Sequence, residues 1–358
     1  MKKDNPTHPA LETLTKYKNI LWPEIQKYLK DPAYPEVFKI PFKYKKEINH
    51  QWEIIKDYPE RKGKYIRPTL VFLSALSLGV PLKKIIKTAS AMQLSEDWLL
   101  IHDDFEDNSL KRRGKPTLHR IHGPEMAINA GDGLHAIMWK ILADNDTLLN
   151  KKLCKKILDE FYTMMIRTVL GQGVEIYWSQ KNFPKFSDED WYFIADGKTS
   201  YYTIALPLRL GAILGGANSP QLEKLSFFGL KLGRGFQLVD DLLDITSDFS
   251  RLKVQGNDIY EGKKTVLLGH LLTHSTKKDK EKLLKILKKK TDEKTKAEVD
   301  WVIEKMHFYK SVDYAKNLAQ KYKREALFIF EKDLKFLSRE PFREQLKQLI
   351  DFIIERKY

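Results

Sequence analysis

The segment "LKKIIKTASAMQLSEDWLLIHDDF", Leu82 to Phe105, runs for 24 residues with apolar groups at helical spacing and with neither Gly nor Pro. Strand runs end after about four to eight residues, so a stretch this long has to be helix. The same character returns in "KKLCKKILDEFYTMMIRTVLGQGVEIYW", in "QLEKLSFFGLKLGRGFQLVDDLLDI" and in the C-terminal "FREQLKQLIDFIIERKY". "PTLVFLSALSLGV" is bracketed by Pro68 at the first helical position and Gly79 at the stop. "SYYTIAL" holds β-type residues but does not alternate, and neither regularly spaced hairpin dipeptides nor a βαβ rhythm is present. The expected class is all-α. No Ser/Gly-rich linker or short repeat divides the chain, so residues 1–358 are expected to form a single helical domain. The prolines ahead of Pro59 make 1–60 a more irregular N-terminal segment.

Hydrophobic residues at 42% and charged residues at 31% exclude a disordered chain. The net charge of +15 points to an anionic partner: nucleic acid, anionic lipid or a phosphorylated small molecule. One cysteine, Cys154, excludes a disulfide framework and a cysteine metal site. The start, "MKKDNPTHPALETL", has no apolar core of a secretory signal, and no run approaches the length of a membrane span. A soluble, cytoplasmic protein is expected. Lys277 to Lys296 carries ten lysines against four acids. It reads as a solvated helix and loop. The sharper reading is weak contact with a membrane surface or with nucleic acid. The run has no aromatic residue for base stacking, which counts against single-stranded nucleic acid.

The end of the first long segment is unusual. In "LLIHDDFEDNSLKRRG", Asp103, Asp104 and Asp107 stand at i, i+1 and i+4. On a helix they point in directions of roughly 0°, 100° and 40°, one crowded sector. Carboxylates side by side repel, and a cation between them removes the cost. Hard oxygens suit Mg²⁺, which keeps several waters and bridges to phosphate. A single cluster reads equally as a solvated acidic helix end. However, "GFQLVDDLLDITSD" repeats the spacing with Asp240, Asp241 and Asp244, 137 residues later and again behind an apolar run. Two such ends facing each other would cradle a diphosphate. Arg112 and Arg113 lie beside the first, and their planar forks match phosphate oxygens.

With these motifs the chain resembles the trans-prenyl diphosphate synthases, or polyprenyl synthetases, and among them the short-chain geranylgeranyl and farnesyl diphosphate synthases. The resemblance runs from about Gly63 to Lys264 and more weakly to the C-terminus. It is carried in order by "GKYIRP" at 63–68, "DDFED" with "RRGKPTLH", Gly131–Asp132, "GQG" at 171–173, "KTSYY" from Lys198, "FQLVDDLLD" and "KVQGNDIYEGKKT". It implies a helical bundle of the isoprenoid-synthase type around a central cavity. It also implies a homodimer and Mg²⁺, three ions when diphosphate is bound. Asp103, Asp104, Asp107, Asp240, Asp241 and Asp244 would hold the metal on an allylic diphosphate. Arg112, Lys198, Lys253 and Lys263 would bind that diphosphate, and Lys64, Arg67 and Arg113 that of isopentenyl diphosphate. Thr199 and Gln237 would offer oxygens near the allylic carbocation. The implied reaction is head-to-tail condensation of the two substrates. No nucleic acid takes part.

Two positions depart from the family pattern. Where the family carries Glu-x-x-His before the first aspartate motif, this chain has Gln93 and Glu96. A glutamate there would repel isopentenyl diphosphate by roughly 3–4 kcal/mol at an effective dielectric of ~20. Pairing of Glu96 with Lys64 or Arg67, which it would hold in place, is the favoured account. Leu252 stands where a glycine is usual, a detail of the loop. His102, His119 and His122 read as structural or surface groups, since Mg²⁺ prefers oxygen.

Trp98 and Leu99 lie five and four residues before Asp103, where the family sets pocket depth. Leu99 shares the face of Asp103, whereas Trp98 points about 140° away on an ideal wheel. "DDFED" lacks the two-residue insertion of bacterial-type farnesyl synthases. A bulky Trp98 with a mid-sized Leu99 implies geranylgeranyl diphosphate as main product and farnesyl diphosphate as second. A terpene cyclase would carry an Asn/Ser/Glu-type second metal motif, and a non-catalytic prenyltransferase subunit tends to lose aspartates. All six aspartates are present here.

Overall fold

A computed structural model describes residues 8–181, 186–246 and 255–355. It is built of helices throughout, with one two-stranded hairpin among the described residues. α1 (Pro9–Tyr28) and α2 (Lys45–Arg61) precede α3 (Ile66–Ser77), α4 (Ile86–Glu106), α5 (Leu118–His122), α6 (Pro124–Ala143) and α7 (Lys151–Lys181). There follow α8 (Asp188–Ala195), a π-helical segment (Asp196–Ala205), α9 (Leu206–Leu214) and α10 (Ser219–Thr246). α11 (Asn257–Glu261), α12 (Val266–His274), α13 (Lys277–Leu287), α14 (Lys296–Phe308), α15 (Ser311–Asp333) and α16 (Phe342–Glu355) complete the bundle.

α4 lies at the centre, packed on α6, α3 and α1. Its first turns, "TASAMQLS", are small or mid-sized and buried all round, which lets neighbours close on every side. A methyl group at Gly131 of α6 would stand 2.3 Å from the His102 ring of α4, so glycine sets that approach. On the other side α10 packs on the π-helical segment and α15. A Cβ at Gly233 would meet Ser200 Cα at 2.3 Å. That contact brings α10 against the segment that bears Lys198 and Thr199.

Three local readings change, and a fourth, the rejection of "SYYTIAL" as a strand, holds. Among the described residues, the N-terminal segment is irregular between Tyr28 and Lys45 and helical on either side. Pro9 stands at the start of α1, where its missing N–H costs nothing, and the His8 ring caps the helix by accepting from Ala10 N at 3.2 Å. α3 begins at Ile66, two residues ahead of Pro68, out of a left-handed Tyr65 with φ of 61°. "SYYTIAL" is helical: its π turns sit between α8 and α9 with both ends packed, and tertiary contact overrides β propensity. The hairpin that the sequence did not announce joins Lys111–Arg112 to Lys115–Pro116. Arg113 and Gly114 have φ of 51° and 79°, the two positive values that a tight type I′ turn needs.

The lysine run is largely the solvated helix expected of it. α13 buries Leu283, Ile286 and Leu287, and most of its lysines face water. Lys294 is the exception; it is buried and donates to the Tyr260 carbonyl at 2.6 Å. Among the described residues, no helix is long and apolar enough to cross a membrane.

Candidate active site

A cavity of about 840 Å³ opens among α1, α3, α4, α7, the π-helical segment and α10. One end is cationic, lined by Lys64, Arg67, Arg112, Arg113 and Lys198, with Asp103 and Asp240 beside them. Leu11, Leu14, Leu99, Trp98, Val169, Ile176 and Phe236 make the apolar remainder. The two aspartate-bearing helices thus deliver one carboxylate each, Asp103 from α4 and Asp240 from α10, to the same space.

Asp103 Oδ1 lies 3.1 Å from Lys198 Nζ, and its Oδ2 lies 3.7 Å from Arg112 Nη2. Burial works to raise its pKa, but Lys198, Lys263 and Arg112 together hold it below the usual carboxylate range. Asp107 behaves oppositely. Burial is the larger effect, the Asp103 charge adds to it, and Lys263 Nζ at 2.8 Å only partly offsets them, so Asp107 is pushed up to about 7. Lys263 also meets Glu261 at 2.7 Å and Asp258 at 3.9 Å, which ties α4 to the segment after the second motif. Lys198 has a second acid, Glu175 of α7, at 2.8 Å.

Asp104 requires a correction. Expected among the catalytic and metal-holding aspartates, it is fully buried and does not line the cavity. Arg112 grips it with Nη2, while Nε lies 3.0 Å from both oxygens, and the Tyr58 hydroxyl donates to Oδ2. A carboxylate committed to a guanidinium fork and a phenol has no lone pair directed at the cavity. Its work is to orient Arg112, which does line the cavity.

The second motif is chained to the first site through side chains. Thr199 Oγ1 donates to Gln237 Oε1 at 2.6 Å, and Gln237 Nε2 donates to Asp241 Oδ1 at 2.8 Å. The other Asp241 oxygen, Oδ2, is buried without a hydrogen bond. Burial and the charges of Asp258, Asp240 and Asp244 all push the Asp241 pKa up. A buried carboxylate with an orphaned oxygen, ringed by further acids, calls for a cation, and an all-oxygen donor set fits a hard divalent ion. No three acidic, His or Cys side chains among the described residues already close on one point, and ammonium groups stand among the carboxylates instead. Asp244 Oδ2 accepts from Asp258 N at 3.1 Å, which fixes the α11 end. Lys253 lies outside the described residues, as does Leu252.

At the other edge of the cationic end, Glu96 meets Arg67 Nη1 at 3.1 Å and Arg113 Nη2 at 3.4 Å. Burial opposes its ionisation, but the two guanidiniums keep its pKa low. Arg67, one of the two partners expected for it, is paired with it in the structure, and Arg113 is a further partner. Arg113 also reaches Asp97 at 2.9 Å and the Tyr58 carbonyl at 2.7 Å. Burial pushes Asp97 up to about 6. Arg67 is held further by Thr203 Oγ1 at 2.9 Å and by the Tyr202 ring, 4.4 Å away. Glu175, Tyr58, Asp97 and Thr203 gave no signal in the sequence, because each acts only through a partner far along the chain. Trp98 is buried between His102 and His135, with ring centroids at 5.5 and 4.5 Å, and it lines the cavity together with Leu99.

Residues 50–306 match the polyprenyl synthetase family. The chain belongs to that family. As a polyprenyl synthetase it is a prenyltransferase, and its relatives agree. It is 33% identical to the geranylgeranyl diphosphate synthase of Saccharolobus solfataricus over 298 residues, which are 82% of this chain and 87% of that one. It is 32% identical to the short chain isoprenyl diphosphate synthase of Methanothermobacter thermautotrophicus, over 83% of this chain and 87% of the relative. The geranylgeranyl pyrophosphate synthetase of Pyrococcus horikoshii has the same fold, with a TM-score of 0.82, 27% identity, and coverage of 97% and 98% of the two chains.

Proposed function

We propose that this synthetase condenses isopentenyl diphosphate with an allylic diphosphate, head to tail, with geranylgeranyl diphosphate as main product and farnesyl diphosphate as second. The observation that carries the reading is the cavity itself: one space is lined by a group of cations, by an aspartate from each of the two acidic helices, and by apolar residues that include Trp98 and Leu99.

The roles follow from the contacts. Asp103, Asp107, Asp240, Asp241 and Asp244 would hold Mg²⁺. When bound, the metal supplies the charge that lets an allylic diphosphate leave with the electron pair of its C–O bond. Lys198, fixed between Asp103 and Glu175, presents its ammonium to that diphosphate, and Arg112 presents the fork that Asp104 orients. Lys64, Arg67 and Arg113 receive the second diphosphate. The Thr199 proton points at Gln237 Oε1, so the lone pairs of Thr199 Oγ1 and the second lone pair of Gln237 Oε1 remain available to a nearby allylic cation. The double bond of isopentenyl diphosphate attacks that cation, and the departed diphosphate takes the last proton. Leu99, Phe236 and Ile176 keep water from the cation. We read the chain as one catalytic unit and its assembly as a homodimer. α7 exposes Tyr162, Ile166, Leu170 and Tyr177 at helical spacing, and a second copy would cover them.

The product reading is tested at the cavity wall. Trp98→Ala, alone or with Leu99→Ala, removes a bulky group from the apolar end and leaves room for further isoprene units. Chromatography of the dephosphorylated prenols is expected to show longer chains. An unchanged distribution in the double variant would remove both residues from the chain-length account.

Glu96 is tested by kinetics. If it positions Arg67 and Arg113, Glu96→Ala raises the KM for isopentenyl diphosphate roughly tenfold with little change in kcat. If it merely repels the substrate, the same change lowers that KM.

A further inference from the structure

The arm between α1 and α2 takes no part in the chemistry above. From Pro32 to Tyr44 it passes through two single 3₁₀ turns, Glu36–Phe38 and Phe42–Tyr44, and Pro32, Pro35 and Pro41 interrupt any longer helix. Its apolar side chains face outward. Phe42 is 83% exposed, Val37 85% and Phe38 73%, and Tyr34, Ile40 and Tyr44 are exposed as well. Single exposed apolar residues are ordinary on a protein surface; six within eleven residues mark an interaction site. Lys39 and Lys43 stand among them, and Lys45 and Lys46 follow in the first turn of α2; the nearby acids are Glu36, which pairs with Lys39, and the flanking Asp31 and Glu47. Lys43 Nζ lies 4.8 Å from the Tyr44 ring centroid and Lys45 Nζ 5.4 Å from that of Phe42. Aromatic rings and ammonium groups are therefore presented together.

We propose that this arm docks the enzyme on an anionic bilayer surface, with Phe38 and Phe42 entering the boundary between headgroups and acyl chains and the four lysines meeting the anionic headgroups. Interfacial binding of this kind needs two signals, an apolar anchor and positive charge, and the arm supplies both. The lysine run from Lys277 to Lys296 supplies only charge, since its large apolar residues are covered. A second copy already has its proposed place on the exposed apolar face of α7, which leaves the arm to a different occupant. The proposal rests on this surface alone and stands apart from the substrates and product named above.

Vesicle co-sedimentation tests it with the full chain. Binding is expected to vesicles of phosphatidylcholine mixed with phosphatidylglycerol, to be weak on pure phosphatidylcholine, and to fall as salt rises. Phe38→Ser with Phe42→Ser should cut the bound fraction on mixed vesicles by about tenfold or more, at an unchanged melting temperature. Gln at Lys39, Lys43, Lys45 and Lys46 should abolish the preference for the anionic lipid. Equal or absent binding by the wild type on the two vesicle types overturns the proposal, as does a double-serine variant that binds like the wild type. Sedimentation velocity supplies the remaining arm. A double-serine variant that keeps the wild-type oligomer supports a bilayer as the occupant, and one that falls to a smaller species shows that a second copy covers the arm.

Discussion

Asp103→Ala is expected to lower kcat by about 10²–10³-fold while leaving the fold intact. The carboxylate lines the same cavity as Asp240 and lies beside Lys198 and Arg112. On the proposed reading, its removal takes away one carboxylate that would hold the metal beside the departing diphosphate. Stability changes little, because the cations it touches keep other partners: Lys198 retains Glu175, and Arg112 retains Asp104. Steady-state turnover at saturating Mg²⁺, set beside a thermal melt followed by circular dichroism, separates the two effects. A near wild-type rate would remove Asp103 from the metal-holding set.

The neighbouring substitution should behave in the opposite way. Asp104→Ala deletes the buried partner of Arg112 and the acceptor of the Tyr58 hydroxyl. Breaking a buried ion pair by removing one member costs about 3–5 kcal/mol, since the remaining charge is left without compensation. A drop in Tm of roughly 4–7 °C follows for a chain of 358 residues, whose unfolding entropy of about 2.1 cal/mol/K per residue gives about 1.3 °C per kcal/mol. Activity should fall as well, through a misplaced Arg112, and the KM for the allylic substrate should rise with it. Asp104→Asn keeps the shape and an acceptor, and should recover part of the stability. If Asp104→Ala melts with the wild type and only turnover suffers, the sequence reading of Asp104 as a metal ligand is restored.

That contrast shows how far the sequence reaches. The spacing i, i+1, i+4 states that three acids share one sector of a helix end, and it does so twice. It cannot state which of the three faces the cavity. Asp104 is turned inward by Tyr58, which is 46 residues away, and by a hairpin whose only local mark is Gly114 after two arginines. The same hairpin answers why positive charge follows the acids so closely: it folds Arg112 and Arg113 back over α4. The long helices were legible because periodicity is local. Long-range pairs such as Lys198 with Glu175 and Gln237 with Thr199 were not, because they arise only when α7, the π-helical segment and α10 pack together. The prolines of the N-terminal segment misled for a different reason: Pro9 stands at the head of α1, where proline is at home, and so marks a helix start rather than irregular chain.

The central claim is a condensation in the 840 Å³ cavity that ends at a moderate chain length. Incubation of the purified chain with Mg²⁺, isopentenyl diphosphate and farnesyl diphosphate, followed by dephosphorylation and chromatography, tests it most directly. The account predicts geranylgeraniol as the main prenol, none when the metal is chelated, and consumption of both substrates one for one. Release of diphosphate from farnesyl diphosphate with formation of a cyclic hydrocarbon, or no turnover of isopentenyl diphosphate at all, would contradict it.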